Sequence, residues 1–180
     1  FQPIVNTITG KLSSAEALLR WQDPERGMVP PAHFITVAEE SGLIIPIGNW
    51  VLQQACLQAR AWYDQGLGAI PIAVNLSARQ FQDPSLDASI ASALQQAQCP
   101  SELLQLEITE SMVIHDAEQA LQTMQRIVAT GVQLSIDDFG TGYSSLSYLK
   151  RFPVKKLKID RSFVNELETD ANDRAIVDAI

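Results

Sequence analysis

The chain has 180 residues, of which 46% are hydrophobic and 19% charged, and 13 Lys and Arg against 21 Asp and Glu leave a formal charge of −8. This composition excludes a disordered, collagenous or coiled-coil chain, and no apolar run reaches the roughly 18 residues of a membrane span. The acidity argues against a broad duplex-binding face, which needs a basic stripe, but not against a small phosphate ligand held through a metal.

In chain order, Phe1 to Thr7 reads as a strand, Thr9-Gly10 as a turn and Leu12 to Trp21 as a second strand, followed by a loop with Pro24, Gly27, Pro30 and Pro31. His33 to Glu40 is a short helix closed by Ser41-Gly42. Pro46 to Gln65 is a long one, with Val51, Leu52, Ala55, Leu57, Ala59 and Trp62 on a broad apolar face and Gly66 at its end. A strand–helix rhythm then sets in. Strands are expected at Ile70 to Leu76, Leu103 to Ile108, Val132 to Ile136 and Lys155 to Ile159. Helices are expected at Leu86 to Ala97, Ala117 to Thr130, Ser145 to Arg151 and from Ala171 onward.

Several of these strands are near-continuous apolar runs, as in a parallel sheet covered on both faces, and alternating units mean an α/β fold. About six strands are expected, whereas a closed (β/α)8 barrel takes roughly 250 residues. The alternatives are a smaller open sheet or a barrel without its last units. No internal domain boundary is visible. Cys56 and Cys99 read as two free buried thiols, and with His33 and His115 isolated there is no zinc-type spacing.

Glu16, Asn75, Glu107, Asp137 and Asp138 stand at or just beyond strand C-terminal ends, and Lys158 stands near the end of the sixth expected strand with Asp160 after it. In an α/β barrel these ends meet at one mouth. Carboxylates converging there repel one another unless a cation neutralises them, and an all-oxygen set favours Mg2+, Mn2+ or Ca2+ over zinc. Asp137 and Asp138 together suit two ions, which activate water and stabilise an in-line displacement at phosphorus. Lys158 is placed to orient that water or to neutralise phosphate charge.

Each residue also has a plainer reading. Glu16 is compatible with a solvent-facing position, Asn75 with an Asx turn, Glu110 with a helix start and Lys158 with an edge-strand lysine. Glu107, between Leu106 and Ile108, would be a buried carboxylate in need of a partner. The loop from Gly140 to Ser145 lacks the Walker ending and reads as a lid or ligand-positioning loop. Trp21, Trp50, Trp62 and Phe34 read as core or helix-packing residues. The basic cluster Lys150, Arg151, Lys155, Lys156 and Lys158 reads as a solvated connection around Pro153.

These motifs resemble a known family. Glu16-Ala17-Leu18, within Ala15 to Trp21, resembles the signature of EAL domains, bacterial phosphodiesterases of cyclic di-GMP. The likeness continues through Gln2-Pro3-Ile4, Pro31 to Phe34 with Ala38-Glu39, Asn75-Leu76-Ser77, Glu107 to Ser111, Asp137 to Leu146 and Leu157 to Val164. It implies a modified TIM barrel with an antiparallel first strand and hydrolysis of cyclic di-GMP to linear pGpG with Mg2+ or Mn2+. By this resemblance Glu16, Asn75, Glu107 and Asp137 look like metal ligands, Asp138 like a ligand of the second metal, and Lys158 like the holder of the attacking water. Glu16, Asp137, Asp138 and Lys158 would thus be catalytic. Glu110 resembles the anchor of the glycine loop, and Gln2, Leu18, Arg20 and Asp160 resemble substrate contacts, Arg20 through a phosphate.

The family continues with a strand carrying a Glu-Gly-Val-Glu-like motif and a last strand near Gln-Gly, neither of which occurs before Ile180. Residues 1–180 are therefore expected to be a C-terminally incomplete EAL domain, short of about two βα units and excised from a larger protein. The resemblance further implies a cytoplasmic domain, a homodimer, and attachment to sensory or GGDEF modules. The alternative to an enzyme is a non-catalytic cyclic di-GMP receptor. A Mg2+-dependent enolising barrel is a third reading, which the Asp-Asp pair and Asn75 disfavour.

Overall fold

A computed structural model describes residues 1–114, 116–140, 149–165, 167, 169–170, 174–175 and 177–178. The strands are β1 (Gln2–Val5), β2 (Leu12–Ala17), β3 (Trp21–Asp23), β4 (Gly27–Val29), β5 (Ile72–Asn75), β6 (Leu104–Thr109), β7 (Gln133–Phe139) and β8 (Lys156–Ile159). The main helices are α1 (Pro31–Ser41), α2 (Ile44–Asp64), α3 (Ala78–Phe81), α4 (Leu86–Gln96), α5 (Glu110–Ile114) and α6 (Ala117–Ala129), with a short helix at Arg161–Asn165.

Six strands form one curled sheet in the order β1-β2-β5-β6-β7-β8, a partial TIM barrel. The first strand is antiparallel to β2 and every later pair is parallel, as expected.

Strands β6 and β7 alternate apolar and polar residues instead of being apolar throughout, and β5 has the small Ala73 at the corresponding position. Ile72, Val74, Leu104, Leu106, Ile108, Leu134 and Ile136 belong to the core cluster beneath α2, α4 and α6. The residues between them, including Asn75, Gln105, Glu107, Ser135 and Asp137, face the barrel interior, because successive strand side chains leave on opposite faces. Helix α2 supplies Leu52, Ala55, Cys56 and Ala59 to the core, and α6 supplies Ala120, Met124 and Ile127 at helical spacing. Asp116 caps α6 by accepting from the Gln119 amide at 3.0 Å.

Several boundaries differ from expectation. The second strand stops at Ala17 rather than Trp21, and the following loop is the hairpin β3–β4. Asp23 makes that turn by accepting from the amides of Glu25 and Arg26 at 3.0 and 2.9 Å, and Gly27 takes a φ of 74°. The extra helix α3 is started by a capping box between Ser77 and Gln80. Strand β7 continues past Ile136 through both aspartates to Phe139. Phe34 is buried and Trp62 packs against the core, but Trp21 and Trp50 are half-exposed walls of a groove beside α1. The basic cluster is not uniformly solvated either: Arg151 pairs with Glu118 at 2.7 Å, and Lys158 points inward. The expected helix at Ser145 to Arg151 lies mostly outside the described residues, as do much of the segment from Ala171 and His115.

Candidate metal centre

Five strands deliver one polar side chain each to the C-terminal mouth of the sheet: Glu16 from β2, Asn75 from β5, Glu107 from β6, Asp137 from β7 and Lys158 from β8. Register places Asn75 beside Glu107 and Thr109 beside Asp137. Lys158 Nζ donates to Glu107 Oε2 and to Asp137 Oδ2, both at 2.7 Å, and lies 3.5 Å from Glu16 Oε2. Asn75 Nδ2 donates to Glu16 Oε1 at 2.6 Å. The plainer readings of Glu16 as solvent-facing and Lys158 as an edge lysine are therefore set aside, since their side chains are 18% and 25% exposed within one cluster.

Burial raises the Glu107 carboxyl above the ordinary carboxylate range, and the Lys158 ammonium opposes that rise without cancelling it. Burial also works against the Lys158 ammonium, but its hydrogen bonds to Asp137 and Glu107 outweigh this and hold its pKa above that of a free lysine. The cluster is thus built around one cation, the ammonium.

Asp138 sits beside it in a left-handed conformation, φ 54°, a strain of about 1–3 kcal/mol for a non-glycine residue. Its amide donates to Asp137 Oδ1 at 3.0 Å. The β7–β8 ladder shifts register between Ile136 and Phe139, so neither aspartate is in regular register with β8, while Asp137 stays paired with Thr109 on β6. Burial, then the charges of Asp137 and Asp160, raise the Asp138 carboxyl. Asp160 is held below its ordinary value by the Ser162 hydroxyl, with the Ser162 amide donating at 2.8 Å. Glu110 is buried at the start of α5, and its Oε2 accepts the Gly140 amide at 2.8 Å. A Cβ at Gly140 would lie 2.8 Å from the Phe163 ring, with φ at 104°.

Gln2 lies opposite Glu16 across the β1–β2 ladder. Leu18 and Arg20 line a cavity of about 260 Å³ with Phe1 and Trp50, and Arg20 Nη1 donates to the Leu19 carbonyl at 2.8 Å. The structure therefore brings Glu16, Asn75, Glu107, Asp137 and Lys158 into one cluster, with Asp138 and Asp160 at its side. It leaves Leu18 and Arg20 around the end of β2. The sequence reading missed the polar layer under this cluster, which includes Gln105 and Ser135. The signal was available, since each stands two residues before a site residue.

The donor set suits a hard divalent cation: carboxylates from β2, β6 and β7 surround one positive charge, one of them is buried, and the Asn75 amide is bonded to another. Among the described residues, no three acidic, His or Cys side chains lie as a preformed metal group, because Lys158 stands between the carboxylates.

An open α/β barrel with a charged site at its strand C-termini defines the class of protein. The family model of the EAL domain matches residues 1–180, and the chain belongs to that family. It is 49% identical over 180 residues to the bifunctional diguanylate cyclase/cyclic di-GMP phosphodiesterase MucR of Pseudomonas aeruginosa, covering 100% of this chain and 26% of that protein. It is 43% identical over 183 residues to the cyclic di-GMP phosphodiesterase PdeR of Escherichia coli, covering 100% and 27%. The chain spans about a quarter of the length of these curated relatives. The PaMucR phosphodiesterase solved with c-di-GMP superposes at a TM-score of 0.95 and 50% identity, over 99% of this chain and 72% of that one. The manganese and cyclic di-GMP complex of Klebsiella pneumoniae BlrP1 gives 0.80 and 30%, over 99% and 44%.

Proposed function

We propose that this domain hydrolyses cyclic di-GMP to linear pGpG with Mg2+ or Mn2+. The observation that carries this reading is the convergence of Glu16, Glu107 and Asp137 on a single positive charge, with Asn75 hydrogen-bonded to Glu16. The names of MucR and PdeR and the ligand in the PaMucR complex support the substrate.

Glu16, Asn75, Glu107 and Asp137 would hold one cation, and Asp137 with Asp138 would hold a second. Cations held there would supply a lowered pKa for bound water and charge to offset the phosphodiester. Lys158 would hydrogen-bond through its ammonium to the incoming water oxygen or to a phosphate oxygen, since it already stands at the centre of the acids. Water adds to phosphorus and the bond from phosphorus to the ribose 3′ oxygen breaks, because pGpG keeps its phosphate on the 5′ oxygen. The attacking water loses one proton and the departing 3′ oxygen takes one up, so the step is balanced in protons. Gln2, Leu18, Arg20 and Asp160 would seat the dinucleotide beside this cluster, and Glu110 would hold Gly140 and the segment that follows the aspartates. The domain would act in the cytoplasm, as a homodimer, joined to sensory or GGDEF modules.

The test is chromatographic detection of pGpG from cyclic di-GMP with Mg2+, Mn2+ or EDTA. Cation-dependent product that is lost in Glu107→Gln supports the reading. Binding of cyclic di-GMP without any turnover, in folded protein with either cation, would replace it with that of a receptor.

A further inference from the structure

Side chains two apart on a strand leave on the same face, so the residues two before Glu16, Asn75, Glu107, Asp137 and Lys158 form a second layer inside the barrel. They are Ser14, Ala73, Gln105, Ser135 and Lys156. Barrel interiors are ordinarily filled by bulky branched residues. Here the layer holds no bulky branched residue: Ser14, Ala73, Gln105 and Ser135 are buried, and Lys156 on the last strand is exposed.

Gln105 sits at the centre of the connections. Its Nε2 donates to Ser135 Oγ on β7 at 2.8 Å, and its Oε1 accepts from Lys156 Nζ on β8 at 3.3 Å. Ser135 in turn donates to the Leu106 carbonyl at 3.4 Å. One side chain of β6 is thereby tied to the two following strands.

The position of this bridge matters because of the irregularity above it. Ser135 pairs with Lys156 and Ile136 with Leu157, after which the β7–β8 register shifts. Asp137 and Lys158 lie in the shifted stretch, where backbone pairing no longer sets their separation. Gln105 clamps Ser135 and Lys156, the regular pair next to the last one before that shift.

We infer that Gln105 is a positioning residue for the rim cluster, holding β6, β7 and β8 at the spacing that lets Glu107, Asp137 and Lys158 share one site. The inference rests on the proposed metal centre. Groups hydrogen-bonded directly to metal ligands are typically worth about 10–100-fold in metal affinity, and Gln105, one layer further away, belongs at the low end of that range.

The experiment is Mn2+ binding to the purified chain, followed by electron paramagnetic resonance, with melting temperature measured in parallel. Gln105→Met keeps the side-chain length and removes both hydrogen bonds, and should weaken Mn2+ binding about tenfold. Gln105→Glu keeps the acceptor for Lys156 and offers one to the Ser135 hydroxyl if that turns from the Leu106 carbonyl, and it should restore affinity to within about threefold of the parent, well inside the loss expected for Gln105→Met. Rescue of this kind is not expected if Gln105 merely fills space. If Gln105→Met fails to fold, Ser135→Ala removes one arm of the bridge and should weaken Mn2+ by a smaller but measurable factor. Equal Mn2+ affinity in the parent and in the folded variants overturns the inference and leaves the metal centre standing. Absence of Mn2+ binding in the parent overturns both.

Discussion

Lys158 Nζ lies 2.7 Å from Oε2 of Glu107, a carboxylate only 1% exposed. These two residues are 51 positions apart and sit on strands separated by β7. The ammonium is what makes a buried acid tolerable in the absence of another cation. Lys158→Met would strand Glu107 and should cost about 3–5 kcal/mol of stability in EDTA. Mg2+ should recover part of that loss by binding the folded state alone. Urea unfolding with EDTA and with Mg2+ measures both. No destabilisation in EDTA would mean that the pair does not hold the interior together.

Protonation should compete with metal at the same acids. Burial lifts Glu107 above its ordinary 4.5, so over that interval the folded protein keeps a proton that the unfolded chain has lost. This contribution to stability is complete below 4.5 and disappears as pH rises through the folded value. A divalent cation needs the bare carboxylate, so the sign for metal binding is opposite: affinity strengthens as pH rises, with proton release. Mn2+ titrations at about pH 5 and about pH 7.5 should differ, the acid one being weaker. Identical affinities would argue that Glu107 is not a ligand.

Gly48 allows α2 to approach α3. A Cβ there would fall 1.9 Å from Nε2 of Gln80, whose own Oε1 accepts from the Ser77 amide at 3.2 Å in the capping box. Gly48→Ala should destabilise by about 1–3 kcal/mol through overpacking. Adding Gln80→Ala should cost less than the sum of the two single changes, because the clash is removed. Additive losses in thermal melts would exclude this contact as the cause.

Cys56 on α2 and Cys99 are both buried free thiols. Burial first, then Cys99, pushes the Cys56 thiol from 9.0 to about 12. The stability tied to this thiol is complete below 9.0 and is lost as pH climbs toward about 12. At about pH 8 Cys56 should resist iodoacetamide in the native protein and react once urea is added, because the thiolate is the nucleophile. Mass spectrometry of labelled peptides reads this directly, and native labelling of Cys56 would contradict its burial.

Much of the architecture was legible in the chain. Six runs of strand-forming residues became the six strands of one sheet, and the residues from Glu107 to Ser111 and from Leu157 to Val164 carried the family likeness. What escaped was local or lateral. The hairpin after β2 depends on the Asp23 side chain folding back on two amides, a contact that periodicity does not encode. The half-exposed Trp21 and Trp50 read as core because hydrophobicity ranks a side chain without saying which neighbours cover it.

Residue order alone determined the alternation that sends apolar groups to the helices and polar ones to the interior, and it determined that acids would crown several strands. Tertiary pairing decided that Lys158 enters among those acids, that Gln105 bridges to Ser135 and Lys156, and that Cys56 meets Cys99. A strand's period fixes the face from which a side chain leaves. It does not fix which distant strand lies alongside, because that choice balances loop-closure entropy against packing over the whole sheet.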